Sequence, residues 1–148
     1  MKSIAVLLTF CTINCFGQGD ETGVKNTINQ FFEGMRKSDT LLIKTTLAPT
    51  IVFQTIIQKK DSSTRVATED VQEFLTVISK PHMQIYDERI TFEDIKIDGA
   101  LAMVWAPYKF YVGEQFSHCG VDAFQLVKLN GEWKIQYIID TRRKEACP

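Results

Sequence analysis

Apolar residues at Val24, Ile28, Phe31, Phe32 and Met35 recur at helical spacing and predict an amphipathic helix over about 22–37. Ser38-Asp39 then supplies a cap for a second, short helix that carries Leu41, Leu42 and Leu47 and stops at Pro49. The β-branched stretch from Ile51 to Gln58 predicts a strand, Lys59 to Ser63 a polar loop, and Thr64 to Thr68 a short return strand. Thr68 followed by Glu69-Asp70 signals another helix start. Val71, Phe74, Leu75 and Ile78 form that helix's apolar stripe, and Pro81 lies beyond its end.

From Gln84 onward the apolar period changes to two. Asp98-Gly99, Gly113-Glu114 and Asn130-Gly131 read as tight hairpin turns, which predict four long strands over about 84–97, 100–112, 115–129 and 132–143. Helices first and an antiparallel meander after them define an α+β class, with helices packed on one face of a curved sheet.

Two-residue turns fix the register, and directly opposed side chains share a face. The three turns agree on one apolar face holding Tyr86, Ile90, Phe92, Met103, Trp105, Phe116, Phe124, Leu126, Ile135, Tyr137 and Ile139. Glu88, Lys109, His118, Asp122, Thr141 and Arg143 fall on the same face toward one end. Charges buried there without partners would each cost on the order of several kcal/mol, so either they satisfy one another around a cavity or that end of the sheet is solvent-exposed, a rim of structural ion pairs or the polar mouth of a ligand pocket. The opposite face mixes Arg89, Glu93, Gln125, Lys134, Gln136, Asp140 and Arg142 with Val104, Tyr108, Phe110, Val121 and Val127, enough apolar area for a dimer surface. Pro107 inside a strand marks an edge or a bulge, and a bulge would flip its neighbours.

The N-terminal seventeen residues, MKSIAVLLTFCTINCFG, combine Lys2, an apolar run from Ile4 to Phe16 and a small residue before a polar stretch. That is the pattern of a secretory signal peptide cleaved near Gly17, and the run is short for a membrane span. The expected product is secreted or periplasmic. The whole chain has 148 residues, 17 Lys plus Arg and 18 Asp plus Glu. Removing seventeen residues and one lysine leaves 131 residues with a balance of −2. A single core of ordinary size follows, with no electrostatic footprint for nucleic acid. Of the four cysteines, Cys119 and Cys147 remain, an even pair and a disulfide candidate in an oxidising compartment. No CxxC, HExxH, GxGxxG, Walker-type or GxSxG motif occurs, and no metal or cofactor is expected.

Gly131-Glu132-Trp133-Lys134-Ile135 resembles the recurrent last hairpin of the nuclear transport factor 2-like superfamily. Phe31-Phe32-Glu33-Gly34-Met35 through Leu47-Ala48-Pro49 is similar to its opening helices. The stretch from Trp105 through His118 and Asp122 to Arg143 looks like secreted bacterial members of the SnoaL-like type. Across roughly residues 22–143 the resemblance implies a cone-like sheet closed by helices around a pocket, often dimeric through the outer face. It includes isomerases, dehydratases, cyclases and binders, and fold alone does not choose among them.

Three readings follow. In the first, a small apolar or aromatic molecule binds between Trp105, Tyr86, Phe92, Phe124 and Tyr137, with His118 and Asp122 fixing its orientation and Glu88, Lys109, Thr141 and Arg143 at the mouth. In the second, Asp122 or His118 abstracts a proton and Tyr137 or Tyr86 stabilises an oxyanion. His118 and Asp122, four residues apart on one strand, lie about 13 Å apart when the strand is straight, which speaks against a simple dyad. In the third, the outer face binds another protein or a second copy.

Overall fold

The computed structural model describes residues 16–59, 63–80 and 84–148. Most of the expected leader, residues 1–15, and the expected loop and stop at 60–62 and Pro81 lie outside the described residues. The elements run α1 (Phe16–Lys37), α2 (Thr40–Thr46), β1 (Leu47–Gln58), β2 (Thr64–Glu69), α3 (Val71–Ser79), β3 (Tyr86–Ile90), β4 (Asp94–Asp98), β5 (Leu101–Val112), β6 (Gln115–Leu129) and β7 (Glu132–Thr141).

Helix α1 buries Val24, Ile28, Phe31, Phe32 and Met35, the stripe that its spacing predicts. It ends where Ser38 turns to φ 55°. The Asp39 amide then donates to the Gly34 carbonyl at 2.8 Å. The Asp39 carboxylate caps α2 by accepting from the Leu42 amide at 2.9 Å. Gly34 lets the two helices touch, since a Cβ there would lie 2.6 Å from Ile43 Cγ1. The cap of α3 is Asp70, which accepts from Glu73 N at 2.8 Å, rather than Thr68, which belongs to β2.

The sheet order is β2-β1-β7-β6-β5-β3, with β4 also paired to β5. All pairings are antiparallel except β1 with β7. Helices and the concave sheet face enclose a core that includes Phe53, Leu75, Val104, Phe124 and Ile135.

Three local irregularities change the predicted register. The strand expected over 84–97 is two strands, β3 and β4, and the turn after it is centred on Gly99-Ala100 because Asp98 pairs with Leu101. On β6, Tyr111 faces Phe116 but Phe110 faces His118, so Ser117 is an extra residue. On β7, Leu126 faces Ile135 but Gln125 faces Tyr137, so Gln136 is extra. Each extra residue is a bulge that bends the strand and shifts everything beyond it by one. Because side chains alternate, a one-residue shift reverses the face.

The whole of β5 and the far half of β7 are therefore turned over relative to the prediction. Ala102, Val104, Ala106 and Tyr108 are buried, while Trp105 is 45% exposed and Lys109 is exposed. Met103 and Trp105 leave the expected inner face, and Phe116, beyond the Ser117 bulge, is 43% exposed. On β7, Ile138 and Asp140 turn inward, and Tyr137 and Ile139 alternate to the other face.

Candidate functional site

A cavity of about 370 Å³ lies between α1, α3 and the concave face of the sheet. Its apolar wall comprises Phe31, Phe32, Met35, Phe53, Phe74, Val77, Ile78, Tyr86, Phe110, Phe124 and Ile138. The rings pack edge-on or stacked: Phe31 lies 5.9 Å from Phe74 in a stacked pair, and Phe124 meets Phe32 edge-on at 6.1 Å.

The polar side is built by β2, β3, β5, β6 and β7. Tyr108 donates to the Thr141 carbonyl at 2.9 Å and lies 3.3 Å from Asp140 Oδ2. It reaches that far because Gly120 opposes it. A Cβ on Gly120 would stand 1.7 Å from the Thr141 carbonyl oxygen and 3.0 Å from the Tyr108 ring. Arg142 donates through Nε to Asp140 at 2.7 Å and through its terminal nitrogen to Thr55 Oγ1 and Glu69 Oε1, each at 3.0 Å. The mouth is thus held by an ion-pair network linking β1, β2 and β7, and its arginine is already engaged.

Deeper in, Asp122 is 4% exposed and one of its oxygens, Oδ2, is buried without a protein partner. Glu88, half-buried on β3, is the neighbouring carboxyl. Burial pushes the Glu88 pKa up to about 7, partly opposed by its hydrogen bond with Asp122. Burial, and then the Glu88 charge, raise the Asp122 pKa well above the ordinary carboxylate range. Two acids in one apolar pocket cannot both ionise cheaply, so near neutrality the pair retains a proton. Burial also raises the Tyr108 hydroxyl, with Asp140 adding to the effect. His118 is shifted the other way, first by burial and then by the Arg142 charge, which favours the neutral ring. Its Nδ1 lies 3.0 Å from Ser117 Oγ, and the ring packs 5.0 Å from Phe110.

The cavity brings together Asp122, His118, Glu88, Tyr86 and Phe124 from the residues expected in the sequence. The others are placed elsewhere. Trp105 and Lys109 face outward on β5, for the register reason given above. Tyr137 alternates to the other face and its hydroxyl donates to Gln54 Oε1. Phe92 lies between β3 and β4, with the Lys25 ammonium 5.8 Å from its ring. Thr141 acts through its carbonyl and through Oγ1, which accepts from Val121 N at 3.2 Å. Arg143 is exposed, and its backbone pairs with Cys119 in both directions at 2.8 Å. Cys119 and Cys147 are joined as a disulfide that ties the C-terminal tail to β6.

Tyr108, Phe110, Asp140, Arg142 and Glu69 are site residues that the sequence reading missed. Both faces of β5 are apolar, so alternation alone could not tell Tyr108 from Lys109's face; only the bulge decides. Among the described residues, no group of three or more His, Cys, Asp or Glu side chains is arranged to hold a metal ion. No helix among them is long and apolar enough to cross a membrane.

An open α+β cone with a lined cavity defines the chain as a nuclear transport factor 2-like protein. It belongs to the family described as "putative lumazine-binding", whose model matches residues 19–137. Solved structures agree on the fold. An NTF2-like protein of unknown function from Shewanella baltica OS155 superposes with a TM-score of 0.69 at 15% identity, covering 89% of this chain and 100% of its own. A conserved protein from Planctomyces limnophilus DSM 3776 gives 0.67 at 19% identity, covering 85% and 98%. A Nostoc punctiforme PCC 73102 domain of unknown function with a cystatin-like fold gives 0.63 at 11% identity, covering 86% and 80%. Comparison with curated proteins finds no match.

Proposed function

We propose that this chain is an exported small-molecule-binding domain that holds a flat, largely apolar ligand in the cavity behind Arg142. One observation carries this reading: the buried, unpartnered Asp122 Oδ2 stands on the wall of an aromatic cavity. A buried carboxyl oxygen without a protein partner costs stability unless water or a ligand supplies one. The volume of 370 Å³ falls at the small end of ligand sites, roughly 300–1,000 Å³. The family description makes lumazine, a bicyclic ring with N–H and carbonyl edges, the first probe to test. Export is supported by the leader pattern and by the Cys119–Cys147 bond, which suits an oxidising compartment.

A lumazine thermal-shift titration tests the reading. At a hundredfold excess over Kd, binding stabilises by about 2.7 kcal/mol, which raises Tm by roughly 5–10 °C in a chain of this size. Ile138→Trp fills the cavity and should abolish the shift. A shift that survives it places the ligand elsewhere, and a screen of lumazine and other flat heterocycles without any shift ends the proposal.

A second reading rests on Glu88. A carboxyl poised at about 7 in an apolar pocket suits a general acid–base catalyst. The Tyr108 proton is already given to the Thr141 carbonyl, and Tyr137 lies on the other face, so neither is free to stabilise an oxyanion. Deuterium uptake next to the carbonyl of cyclohexenone, lost in Glu88→Gln, would establish this chemistry. Its absence leaves binding as the function.

The outer face, with Trp105 and Val52 exposed, is where a second copy would dock. Tyr108 and Phe110, expected there, line the cavity instead.

A further inference from the structure

We infer that the Glu88–Asp122 end of the cavity is a site for the cationic head of a small aromatic amine or amidine. This deepens the binding reading above and rests on it.

The cavity collects negative charge that the protein leaves unanswered. Glu69, Glu88, Asp122 and Asp140 line it, against one permanent cation, Arg142. Arg142 is spent at the mouth on Asp140, Glu69 and Thr55. His118, the other nitrogen base on the wall, is held toward its neutral form by burial. The inner carboxyl pair therefore has no protein cation of its own among the described residues. Asp122 is 4% exposed and keeps one oxygen, Oδ2, buried with no donor.

Water or a ligand must satisfy that oxygen, and a ligand that replaces the water has to bring its own donor. An anionic head would be repelled by the charge left on the pair, which Arg142, bonded to Asp140 and Glu69, does not contact. A neutral amide could use the shared proton of the pair, but it would leave the net charge of the pocket standing. An ammonium or amidinium answers both, because it donates charge-assisted hydrogen bonds to the pair and neutralises it. Phe32, Tyr108, Phe110 and Phe124 in the same lining supply aromatic surface for the body of the ligand, and an aromatic wall tolerates a cation. Binding a cation displaces the proton held between Glu88 and Asp122, so one proton is released to solvent.

The other titratable groups that line the cavity are Glu69 on β2, Tyr86 on β3, Tyr108 on β5, His118 on β6, Asp140 on β7 and Arg142 just beyond it. Helices α1 and α3 and strand β1 add none to the lining. His118, if protonated at low pH, would add a positive charge to the same wall and also weaken cation binding. Both effects carry the same sign, so cation affinity rises with pH.

Benzamidine and benzamide have the same shape and differ in charge. Their dissociation constants for the purified protein can be measured by ligand-observed NMR at pH 8, with indole as a neutral apolar reference. The expected result is benzamidine at least tenfold tighter than benzamide. That ratio should fall toward one in Asp122→Asn and in Glu88→Gln, each of which exchanges a carboxyl for an amide of the same shape. It should also fall as the pH is lowered to 5, where the pair keeps its proton. Equal affinities, or tighter benzamide, with indole bound would overturn the charge preference and leave the cavity reading intact. Failure of all three probes to bind would overturn both.

Discussion

Cutting the Cys119–Cys147 bond should destabilise the protein by an amount that the loop length sets. The bond joins residues 28 apart and encloses most of the β6–β7 hairpin. Closing a loop of that length removes about 12 cal/mol/K of entropy from the unfolded chain, or about 3.6 kcal/mol at 25 °C. Strain or residual structure trims such figures, so a loss of 2–4 kcal/mol is expected for Cys147→Ser. Against a typical total of roughly 5–15 kcal/mol the variant should still fold. Urea titration followed by tryptophan fluorescence measures the loss, with Trp133 buried as the reporter of the core. Reductant should bring the wild type to the variant's midpoint and leave the variant unmoved. The mutual amide pairing of Cys119 and Arg143, which the bond steadies, should lose hydrogen-exchange protection in parallel. A loss below about 1 kcal/mol, or a reductant effect of equal size in the variant, would refute the loop-closure reasoning.

Three further outcomes are expected. Glu88 has a folded pKa of about 7, above its ordinary 4.5, so its neutral form is favoured by folding. Its contribution is fully present below about pH 4.5 and is lost as pH rises through about 7. Glu88→Gln should therefore gain stability relative to wild type between pH 5 and 8 in thermal melts, and a constant difference across that range would contradict the burial argument. Gly120→Ala places a Cβ against the Thr141 carbonyl and the Tyr108 ring, and backbone must move. A loss of roughly 2–4 kcal/mol is expected, together with loss of probe binding in the cavity, and a near-neutral melt would show that the approach is loose. If the outer face joins two copies, Trp105→Glu should convert a sedimenting dimer to a monomer without changing Tm by more than a few degrees, whereas a monomeric wild type would rule out that surface.

Local pattern carried much of the fold. The stripe of α1, the Asp39 cap and the turns at Gly113-Glu114 and Asn130-Gly131 depend on residues within a few positions of one another, so the sequence alone determined them. Inward placement of Tyr86, Glu88, His118, Asp122 and Phe124 followed from alternation along β3 and β6. The chain itself also specified an α+β class with helices ahead of a meander.

Only the tertiary structure decided which face of β5 and of the far half of β7 turns inward. A strand's period is two, so one extra residue at Ser117 and another at Gln136 exchange the faces. Neither residue type announces a bulge. What selects them is the bend that the sheet needs to wrap around α1 and α3, a property of the assembled layers. The parallel pairing of β1 with β7 brings Thr55 and Glu69 to Arg142 and closes the mouth, and it joins segments about ninety residues apart. No local signal encodes such a contact. The sequence could therefore supply the acids of the site, while the fold alone determined the Tyr108, Asp140 and Arg142 frame that surrounds them.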